Sequence, residues 1–589
     1  MVKIIFFSFI LIYSSLIISQ QYYSSWETVF EKSGYISTAD YNQTMEYFQK
    51  LADSSEYADL FSFGVSPQNR ELKYLLVTKE TKKYWGMDVN MGLRKLSKPV
   101  ILLINGIHSG EIEGKDASML LLKEILVTKQ EESLLDSLNI IVVPIFSVDG
   151  HERKSKYNRI NQNGPEEMGW RTTAQNLNLN RDWMKADAPE MQSMLKLVNE
   201  WNPDFIIDTH TTDGADYQYT VTYAMEWYRN NFERTSLWLK YNFAPFLESG
   251  VMNKGFLIYR YVFLKDWDKG LEEGLIDWPA TPRFSTGYFA LRNRPVLLVE
   301  THMLKPYGER VFATKAVLET ALNFVYNNSS KLLELNEEAD KRSDYLHEEN
   351  KYLPLSFSQS DKFTLIKFKG YEYFWDSSAI SGAKKIVYTD NKKDFEIKFY
   401  DDIIVTDSVK IAKGYYIPAE YSFLKNKLEL HGIHPIRLMK DTSIQAIRYK
   451  FNDVKFSEAP YEGRQTVTFN YENYEEKVNL TAGSFYVPTN QRTIKIITHL
   501  LEPKSADSFV RWGFMNQIFE QKEYYEDYVM EKLAEEMLLN DPELKKDFEE
   551  KLKNDEVFRN SSKARLDFFY ERSPYPDKQL NVYPILRVE

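Results

Sequence analysis

The sequence predicts an α/β domain whose central sheet is flanked by helices, followed by β-rich modules and a helical C-terminal segment. Up to about residue 330, continuously apolar strands alternate with amphipathic helices, which is typical of a sheet covered on both faces. From about residue 351 to 500, short runs of alternating polarity are separated by Asp, Asn, Gly and Lys turns. Beyond that point the chain is charged, and its apolar residues recur every three to four positions.

Five apolar segments predict the strands of the first part, because they are short, rich in β-branched residues and bounded by turn residues. They are KYLLVT (73–78), PVILLINGI (99–107), NIIVVPIF (139–146), DFIIDTHT (204–211) and PVLLVETH (295–302). Five further segments have helical periodicity and good helix formers. They are TMEYFQKLAD (44–53), KDASMLLLKEIL (115–126), APEMQSMLKLVNEW (188–201), RTSLWLKYNFAPFLE (234–248) and RVFATKAVLETALNFVYNN (310–328).

The predicted organisation has five parts. They are a secretory signal (1–19), the α/β domain (20–330), a linker helix (331–350), the β-rich modules (351–500) and the helical C-terminal segment (501–589). The signal has Lys3 near its start and an apolar run to about Ile18, which predicts a secreted or periplasmic protein without a stable membrane span after cleavage. An uncleaved membrane anchor stays open as the alternative, because the run approaches the length that spans a bilayer.

Composition narrows the function classes. The net charge of −11 argues against a nucleic-acid partner, because phosphate contacts require a basic surface. The 589 residues include no cysteine, so disulfides, a thiolate nucleophile and a Cys-based zinc site are excluded. A transition-metal site in this chain has to use His, Asp or Glu.

The segment INGIHSGEIEGKDA (104–117) points to a metal site. It follows an apolar strand directly, and it places His108 and Glu111 three positions apart among three glycines. In a turn or a first helical turn, residues three apart can converge on one ion, and imidazole nitrogen with carboxylate oxygen suits Zn²⁺. Two protein ligands are too few, since a catalytic zinc usually takes three.

His210 is the best candidate for the third ligand. It ends the strand DFIIDTH, and in open α/β sheets ligands gather beyond the carboxyl ends of the strands. Asp208, two residues earlier, is as well explained as a hydrogen-bonded partner of a ligand as by ligation itself. Glu300 ends the apolar run PVLLVE, where a carboxylate costs free energy unless it is paired or catalytic, so we expect it to accept a proton from a water molecule. His302 is a weaker alternative ligand.

The remaining histidines are predicted to have structural or surface roles. His431 and His434 have a spacing that could bind a metal, but no acidic residue accompanies them in an apolar strand. His151 is expected in a loop, and His347 and His499 are expected on the surface or in packing contacts.

Arginines predict an anion pocket beside these residues. Asn180 and Arg181 end the alternating stretch NLNLNR, and an Arg guanidinium can bind a carboxylate through two parallel hydrogen bonds. Arg171 follows a tryptophan and could stabilise negative charge on a carbonyl oxygen, with Arg159 as its competitor for that role.

Taken in order, the motifs GIHSGE, SVDG, WR, NLNLNRDW, DTH and LLVETH resemble the M14 family of zinc carboxypeptidases. The resemblance covers roughly residues 57–328, about half of the chain, and the part beyond residue 351 is similar to the C-terminal extensions of large bacterial members. It implies that the domain at 20–330 is catalytic. It also implies an α/β sandwich around a mixed, eight-stranded sheet.

The resemblance also implies the catalytic roles of single residues. The ligands of one Zn²⁺ ion would be His108, Glu111 and His210. Glu300 would be the general base that takes a proton from a zinc-activated water and later the acid that protonates the leaving amine. Arg171 would polarise the scissile carbonyl.

The substrate implied by the resemblance is a peptide with a free C-terminal carboxylate. Asn180 and Arg181 would hold that carboxylate, and Tyr288 would cover the bound substrate. Gly110 departs from the family pattern, because many members carry an Arg between the two ligands of this motif.

Three functions therefore stay open at the level of sequence. The first is an exported zinc carboxypeptidase that cleaves C-terminal peptide bonds. The second is a zinc amidohydrolase acting on small N-acyl amino acids or on cell-wall peptides. The third is a non-catalytic surface-binding protein, which would have little need to keep three ligands together with Glu300.

Overall fold

The computed structural model describes residues 25–80, 96–212, 214–228, 230–346 and 351–589. The predicted signal at 1–19 and His347 lie outside the described residues. Within the described residues, no helix is both long enough and apolar enough to cross a bilayer.

The first half of the chain is built on a mixed sheet of eight strands. In the order in which they lie side by side, the strands are β1 (Ala58–Val65), β2 (Glu71–Val77), β4 (Asn139–Val143), β3 (Val100–Ile104), β5 (Phe205–Thr212), β10 (Val296–His302), β6 (Val221–Ala224) and β7 (Ile258–Arg260). The four central strands, β4, β3, β5 and β10, are parallel, and antiparallel pairings flank them on both sides. The predicted α/β fold with a mixed central sheet is confirmed.

Helices lie along both faces of this sheet. Their bounds are α1 (Val29–Lys32), α2 (Tyr41–Asp53), α3 (Glu113–Leu126), α4 (Val148–Glu152), α5 (Pro189–Trp201), α6 (Glu233–Trp238), α7 (Ala244–Asn253), α8 (Ser285–Leu291), α9 (Tyr307–Asn327) and α10 (Ser329–Tyr345). Proline stands at the first position of α5, where its missing N–H leaves no hydrogen bond unmade.

Alternate side chains of each strand belong to two separate apolar layers, because successive residues of a strand point to opposite faces of the sheet. On β3, Ile101 and Leu103 pack with α2, α3, α7 and α9. Val100, Leu102 and Ile104 pack on the opposite face with α5 and α8. Burial on both faces explains why these strands are apolar throughout.

The segment predicted as one helix at 234–248 is divided in the structure. A π-helical turn, Leu239–Phe243, separates α6 from α7. Pro245 has no N–H to donate to the carbonyl of residue 241, so the regular α-helical bond pattern cannot continue through it. The wider turn accommodates this loss.

The second half of the chain is rich in β-structure. Its strands are β11 (Tyr352–Gln359), β12 (Thr364–Ser377), β13 (Lys384–Tyr400), β14 (Ile403–Lys410), β15 (Gly414–Ile417), β16 (Ile436–Arg437), β17 (Thr442–Phe456), β18 (Val467–Leu480), β19 (Phe485–Pro488) and β20 (Leu586–Val588). Its helices are α11 (Leu424–Leu430), α12 (Ile494–Leu501), α13 (Asp527–Asn540), α14 (Pro542–Asn554), α15 (Glu556–Asn560) and α16 (Ser562–Tyr570). The β-rich and helical parts of the predicted fold class are thus both present.

The two halves share a sheet and a core. Two strands of the first half, β8 (Leu264–Asp266) and β9 (Gly270–Ile276), join β12 and β13 in a four-stranded sheet, in which β9 pairs parallel with β13. A six-stranded sheet of the second half, β16-β19-β15-β20-β17-β18, packs on the first domain. Side chains of its strands, such as Tyr415 and Val487, belong to the same apolar layer as α5 and α8.

Candidate metal centre and substrate cavity

Three polar side chains lie at the carboxyl ends of the parallel strands. His108 and Glu111 occupy the turn that follows β3, and His210 lies near the end of β5. Gly106 begins this turn with a φ of +66°, a conformation that favours glycine. The N–H of Glu111 donates to the carbonyl of His108 at 2.9 Å and closes the turn. Strand order and a tight turn therefore bring the three residues together.

Their ligand atoms converge on one point. Nδ1 of His108 lies 3.3 Å from Oε2 of Glu111, and Nδ1 of His210 lies 3.0 Å from the same oxygen. The three atoms lie within 4.8 Å of one another, and all three side chains are buried. This is the only such group of three found among the residues that the structure describes. Two imidazole nitrogens and one carboxylate oxygen form the usual donor set of a catalytic zinc.

The outward-facing ring nitrogens fix both imidazoles. Nε2 of His108 donates to Oδ1 of Asn178 at 3.0 Å, and Nε2 of His210 lies 3.1 Å from Oδ2 of Asp208. Ser285 in turn donates its hydroxyl to Asp208 at 2.5 Å. Partners of this kind orient metal-binding histidines and fix their tautomer. Asp208 therefore stands behind His210 and outside the converging group.

The protonation of this cluster fits a cation. Burial lowers the pKa of His108 to about 4, so this imidazole is neutral at pH 7. Because its one N–H is given to Asn178, the lone pair of Nδ1 faces the Glu111 carboxylate. Burial opposes ionisation of Glu111, but the positive charge of Arg159 outweighs this and holds the pKa of Glu111 well below its usual range. Two acceptors that face each other are stabilised by a positive charge between them, so the residues present fit a divalent metal.

The His210 imidazole is in its positively charged, doubly protonated form in this arrangement. Burial opposes its charge, but Asp208 and Glu111 together raise the pKa of the imidazole well above its usual value. A metal needs the neutral imidazole, so binding would release this proton.

Glu300 lies on the strand next to His210. The two residues are direct partners in the parallel register of β10 and β5, so their side chains leave the same face of the sheet. Burial raises the pKa of the Glu300 carboxyl to about 8, and the charges of Glu111 and Asp208 also raise it. Such a shifted pKa is typical of a carboxyl group that transfers protons near neutral pH.

Two arginines bind the second oxygen of Glu111. Nη2 of Arg159 lies 2.8 Å and Nη1 of Arg171 lies 3.2 Å from Oε1. A β-carbon at Gly110 would lie 2.8 Å from Cδ of Arg159, so glycine makes room for that side chain. The Arg171 side chain is 44% exposed and Arg159 only 13%, which leaves Arg171 the more accessible to a substrate.

Asn180 and Arg181 lie together in a short 3-10 helix, Leu179–Arg181. Oδ1 of Asn180 accepts a hydrogen bond from the N–H of Ser285 at 3.1 Å, which fixes the amide. Arg181 donates from Nη1 to the carbonyl of Asn180 at 2.8 Å, and its guanidinium lies 4.0 Å above the ring of Phe284. Both side chains line the same cavity as the histidines and Glu300.

The sequence of this domain matches a known family. The family model described as zinc carboxypeptidase, peptidase M14, matches residues 44–244. This part of the chain belongs to the zinc carboxypeptidase family. The family predicted from the motifs is therefore confirmed for this domain, which makes the chain a peptide hydrolase of a zinc-dependent family.

Curated relatives resemble more of the chain than the carboxypeptidase domain. Carboxypeptidase 2 of Trichophyton rubrum is 22% identical over 499 residues, which covers 80% of this chain and 84% of the relative. Carboxypeptidase 2 of Trichophyton equinum is 21% identical over 473 residues, covering 74% and 78%. Among solved structures, a metallo-carboxypeptidase from Pseudomonas aeruginosa shares 15% identity with a TM-score of 0.37, covering 50% of this chain and 70% of its own.

A cavity of about 700 Å³ opens beside the three converging side chains, His108, Glu111 and His210. It is lined by the charged and polar groups described above and by an apolar group consisting of Ala224, Phe263, Ile276, Trp278 and Leu298. Ile160, which is 97% exposed, also lines it. The volume suits a few amino-acid residues, as expected for the end of a peptide.

The structure does not bring Tyr288 into this cavity. The side chain is fully buried in the apolar layer under α8, 5.3 Å from the ring of Trp183, and its hydroxyl lies 3.0 Å from Nδ1 of His431. Its place on the inner face of the helix excludes contact with substrate. Tyr261 lines the cavity instead, with its hydroxyl 3.3 Å from Oγ1 of Thr212.

The other described histidines lie outside the group formed by His108, Glu111 and His210. Nδ1 of His302 accepts from the N–H of Leu304 at 3.1 Å, so this nitrogen is not free for a metal. His431 is buried, whereas His434 is exposed. His151 is buried, with Nε2 at 3.1 Å from Nζ of Lys115, and so is His499.

Asn178 and Tyr261 are site residues that the sequence did not single out. Asn178 stands in the quoted stretch NLNLNRDW, but only contacts in space distinguish its role from that of its asparagine neighbours. Tyr261 follows a short edge strand, β7, in a region without a recognisable motif.

Proposed function

We propose that the chain is an exported metallocarboxypeptidase that binds one Zn²⁺ ion through His108, Glu111 and His210 and removes C-terminal residues from peptides. The observation that carries this proposal is the convergence of the three ligand atoms within 4.8 Å, with the Glu300 strand adjacent to that of His210. Export rests on the sequence of residues 1–19 alone.

Asn180 and Arg181 would bind the terminal carboxylate of the substrate. A guanidinium offers two parallel N–H donors that match the two oxygens of a carboxylate. Stacking on Phe284 and the hydrogen bond to its neighbour hold Arg181 in place before substrate arrives. A peptide anchored in this way presents its last peptide bond to the metal cluster and Glu300.

Glu300 would move the proton during hydrolysis. When bound, zinc acidifies a water molecule, polarises a carbonyl and favours the ionised form of nearby carboxylates. The Glu300 carboxylate accepts the proton of the attacking water and then donates it to the leaving amine. Arg171 donates N–H groups to the carbonyl oxygen as negative charge develops there.

The proposed function is tested with a pair of peptides that differ only in a C-terminal carboxylate or amide. We expect the amide to be cleaved about 100-fold more slowly or worse, because the anchoring arginine would lack its charged partner. A chelator should abolish activity, and added Zn²⁺ should restore it. Equal cleavage of both peptides would contradict a carboxypeptidase and favour another amide hydrolase.

The apolar wall of the cavity favours an apolar C-terminal side chain. Within the cavity, Glu226 is buried and accepts hydrogen bonds from the N–H of Ala280 at 2.9 Å and from Nδ2 of Asn230 at 2.6 Å. Burial raises the pKa of its carboxyl to about 8, so it is neutral at pH 7. We propose that the site selects side chains such as Phe or Leu under these conditions.

This selection is expected to change with pH. As the pH rises through about 8, the Glu226 carboxyl ionises, which disfavours an apolar side chain and favours a cationic one. The ratio of kcat/KM for a peptide ending in Phe to that for a peptide ending in Lys should therefore fall by about tenfold between pH 6.5 and 9.0. A tenfold change corresponds to about 1.4 kcal/mol. The ratio cancels effects that both substrates share.

Glu226→Gln is the matched variant for this measurement. Its side chain has the same size and cannot ionise, so the Phe-to-Lys ratio should be independent of pH. A wild-type ratio that stays constant over this range, or a variant ratio that still falls, would contradict the role of Glu226.

A further inference from the structure

A turn of the β-rich half reaches the catalytic domain at the substrate site. This turn, residues 461–464 (Tyr-Glu-Gly-Arg), lies between β17 and β18 and is closed by a bridge between Tyr461 and Arg464. A β-carbon at Gly463 would lie 3.2 Å from Cδ2 of Leu177. The 461–464 turn therefore touches the segment that leads into Asn180 and Arg181.

Glu462 makes a direct bond to this segment. Its Oε2 accepts a hydrogen bond from the N–H of Asn178 at 3.2 Å. The side chain of Asn178 accepts bonds at 3.0 Å from both Nε2 of His108 and the N–H of Asn180. One contact with Glu462 is thus connected to a metal ligand and to the proposed carboxylate clamp.

Tyr461 faces the clamp from the same turn. Burial lowers the pKa of the Arg181 guanidinium, and the nearby Tyr461 hydroxyl and Glu462 carboxylate oppose this shift. The Tyr461 ring stacks on the Trp512 ring, with centroids 5.9 Å apart and an angle of 9° between the planes. The guanidinium of Arg283 lies 4.7 Å from the centroid of the Trp512 ring. The stack keeps a 40% exposed tyrosine in a defined position.

The turn is anchored by an ion pair between the two halves. Arg464 donates from Nε and Nη2 to the two oxygens of Asp187, at 2.6 and 2.8 Å. Lys427 donates to the same carboxylate at 3.1 Å. A two-pronged Arg–carboxylate pair fixes orientation as well as distance.

The backbone of Glu462 adds an independent argument. Its φ is +49° and that of Gly463 is +78°, the left-handed pair of a tight hairpin turn. Gly, Asn and Asp suit the first of these positions, and a longer side chain is disfavoured there. A strained residue whose carboxylate touches the site points to a function for that carboxylate.

We propose that the 461–464 turn is a positioning element of the active site, in which Glu462 holds Asn178 and thereby sets His108 and the Asn180–Arg181 clamp. The β-rich half thus completes the site for peptides with a free carboxylate. This inference rests on the proposed function of the clamp and of the metal ligands.

Glu462→Gly in the full-length protein separates positioning from stability. Glycine relieves the left-handed backbone, so the Tm should stay the same or rise. Loss of the bond to Asn178 should raise KM for a free-carboxylate peptide and Ki for the product amino acid by about tenfold. The Zn²⁺ dissociation constant should also rise, by up to about tenfold. We expect kcat to fall less than KM rises.

Three further variants complete the experiment. Glu462→Asn tolerates the left-handed conformation but is one methylene shorter, so it should behave like the glycine variant. Glu462→Gln keeps an acceptor oxygen and should recover most of the loss. Glu458→Gln changes an exposed residue of the same connection and is the control.

The outcomes distinguish this inference from the proposed function. If Glu462→Gly and Glu462→Asn match the wild type in KM, Ki and Zn²⁺ affinity, the inference is overturned, although an active wild type still supports the carboxypeptidase. If the wild type does not require a free carboxylate, the proposed function fails. Zn²⁺ affinity then decides the inference, and unchanged affinity in both variants overturns it.

Discussion

Replacing Glu300 by Gln is expected to lower kcat by about 10²- to 10⁴-fold, the usual contribution of a positioned acid–base group. Gln has nearly the same shape and keeps a hydrogen-bond acceptor, but it cannot take a proton from water or return one to the amine. Because Glu300 is not one of the three converging ligands, zinc content should stay close to that of the wild type. KM should change little, since the clamp residues are untouched.

The measurement is steady-state kinetics on a free-carboxylate peptide, together with metal analysis of the same preparation. Glu272→Gln, at an exposed position of β9 outside the cavity lining, is the control for a Glu-to-Gln change in the same domain. Near-wild-type turnover in the Glu300 variant would remove the proton-transfer role from this residue.

Replacing His210 by Ala is expected to abolish both metal binding and activity. Only His108 and Glu111 would remain as ligands, fewer than a catalytic zinc requires. The loss should also leave the buried Asp208 carboxylate without its imidazole partner, which costs additional free energy. We expect less than about 0.1 zinc per chain after dialysis and a fall in kcat/KM of at least about 10³-fold.

Thermal unfolding provides a readout that does not depend on activity. Zn²⁺ that binds only the folded wild type raises its Tm in proportion to the logarithm of the metal concentration. The His210 variant should show no such shift, whereas His434→Ala, at an exposed site, should respond like the wild type. A full Zn²⁺-dependent shift in the His210 variant would exclude this residue as a ligand.

The sequence was sufficient to predict the residues that strand geometry brings together. His108, His210 and Glu300 each end or follow an apolar strand, and parallel central strands place such ends at one edge of the sheet. The prediction that Tyr288 covers the substrate was wrong, because the sequence motif indicates its position along the chain but not which face of α8 it occupies. Asn178 could not be distinguished, because its role depends on contacts with residues distant in sequence.

The strands β6 to β9 were not predicted for a different reason. They are short, and β9 reads GLEEGLI, which lacks both alternation and an apolar run. Such strands form because neighbours already in place complete their hydrogen bonds, a preference that local sequence does not carry. The apolar lining of the cavity comes partly from this region, so side-chain selectivity could not be derived from the sequence.

The sheet formed by β8, β9, β12 and β13 limits where this enzyme can be truncated to obtain a stable fragment. Residue Leu275 of β9 pairs with Phe399 of β13 and is fully buried, although more than one hundred positions separate the two along the chain. A fragment that stopped at the end of the first domain would keep β9 but lose β13, and it would expose this apolar edge, which invites aggregation. Protein engineers who want the hydrolase alone would therefore have to redesign that surface or retain the later strands.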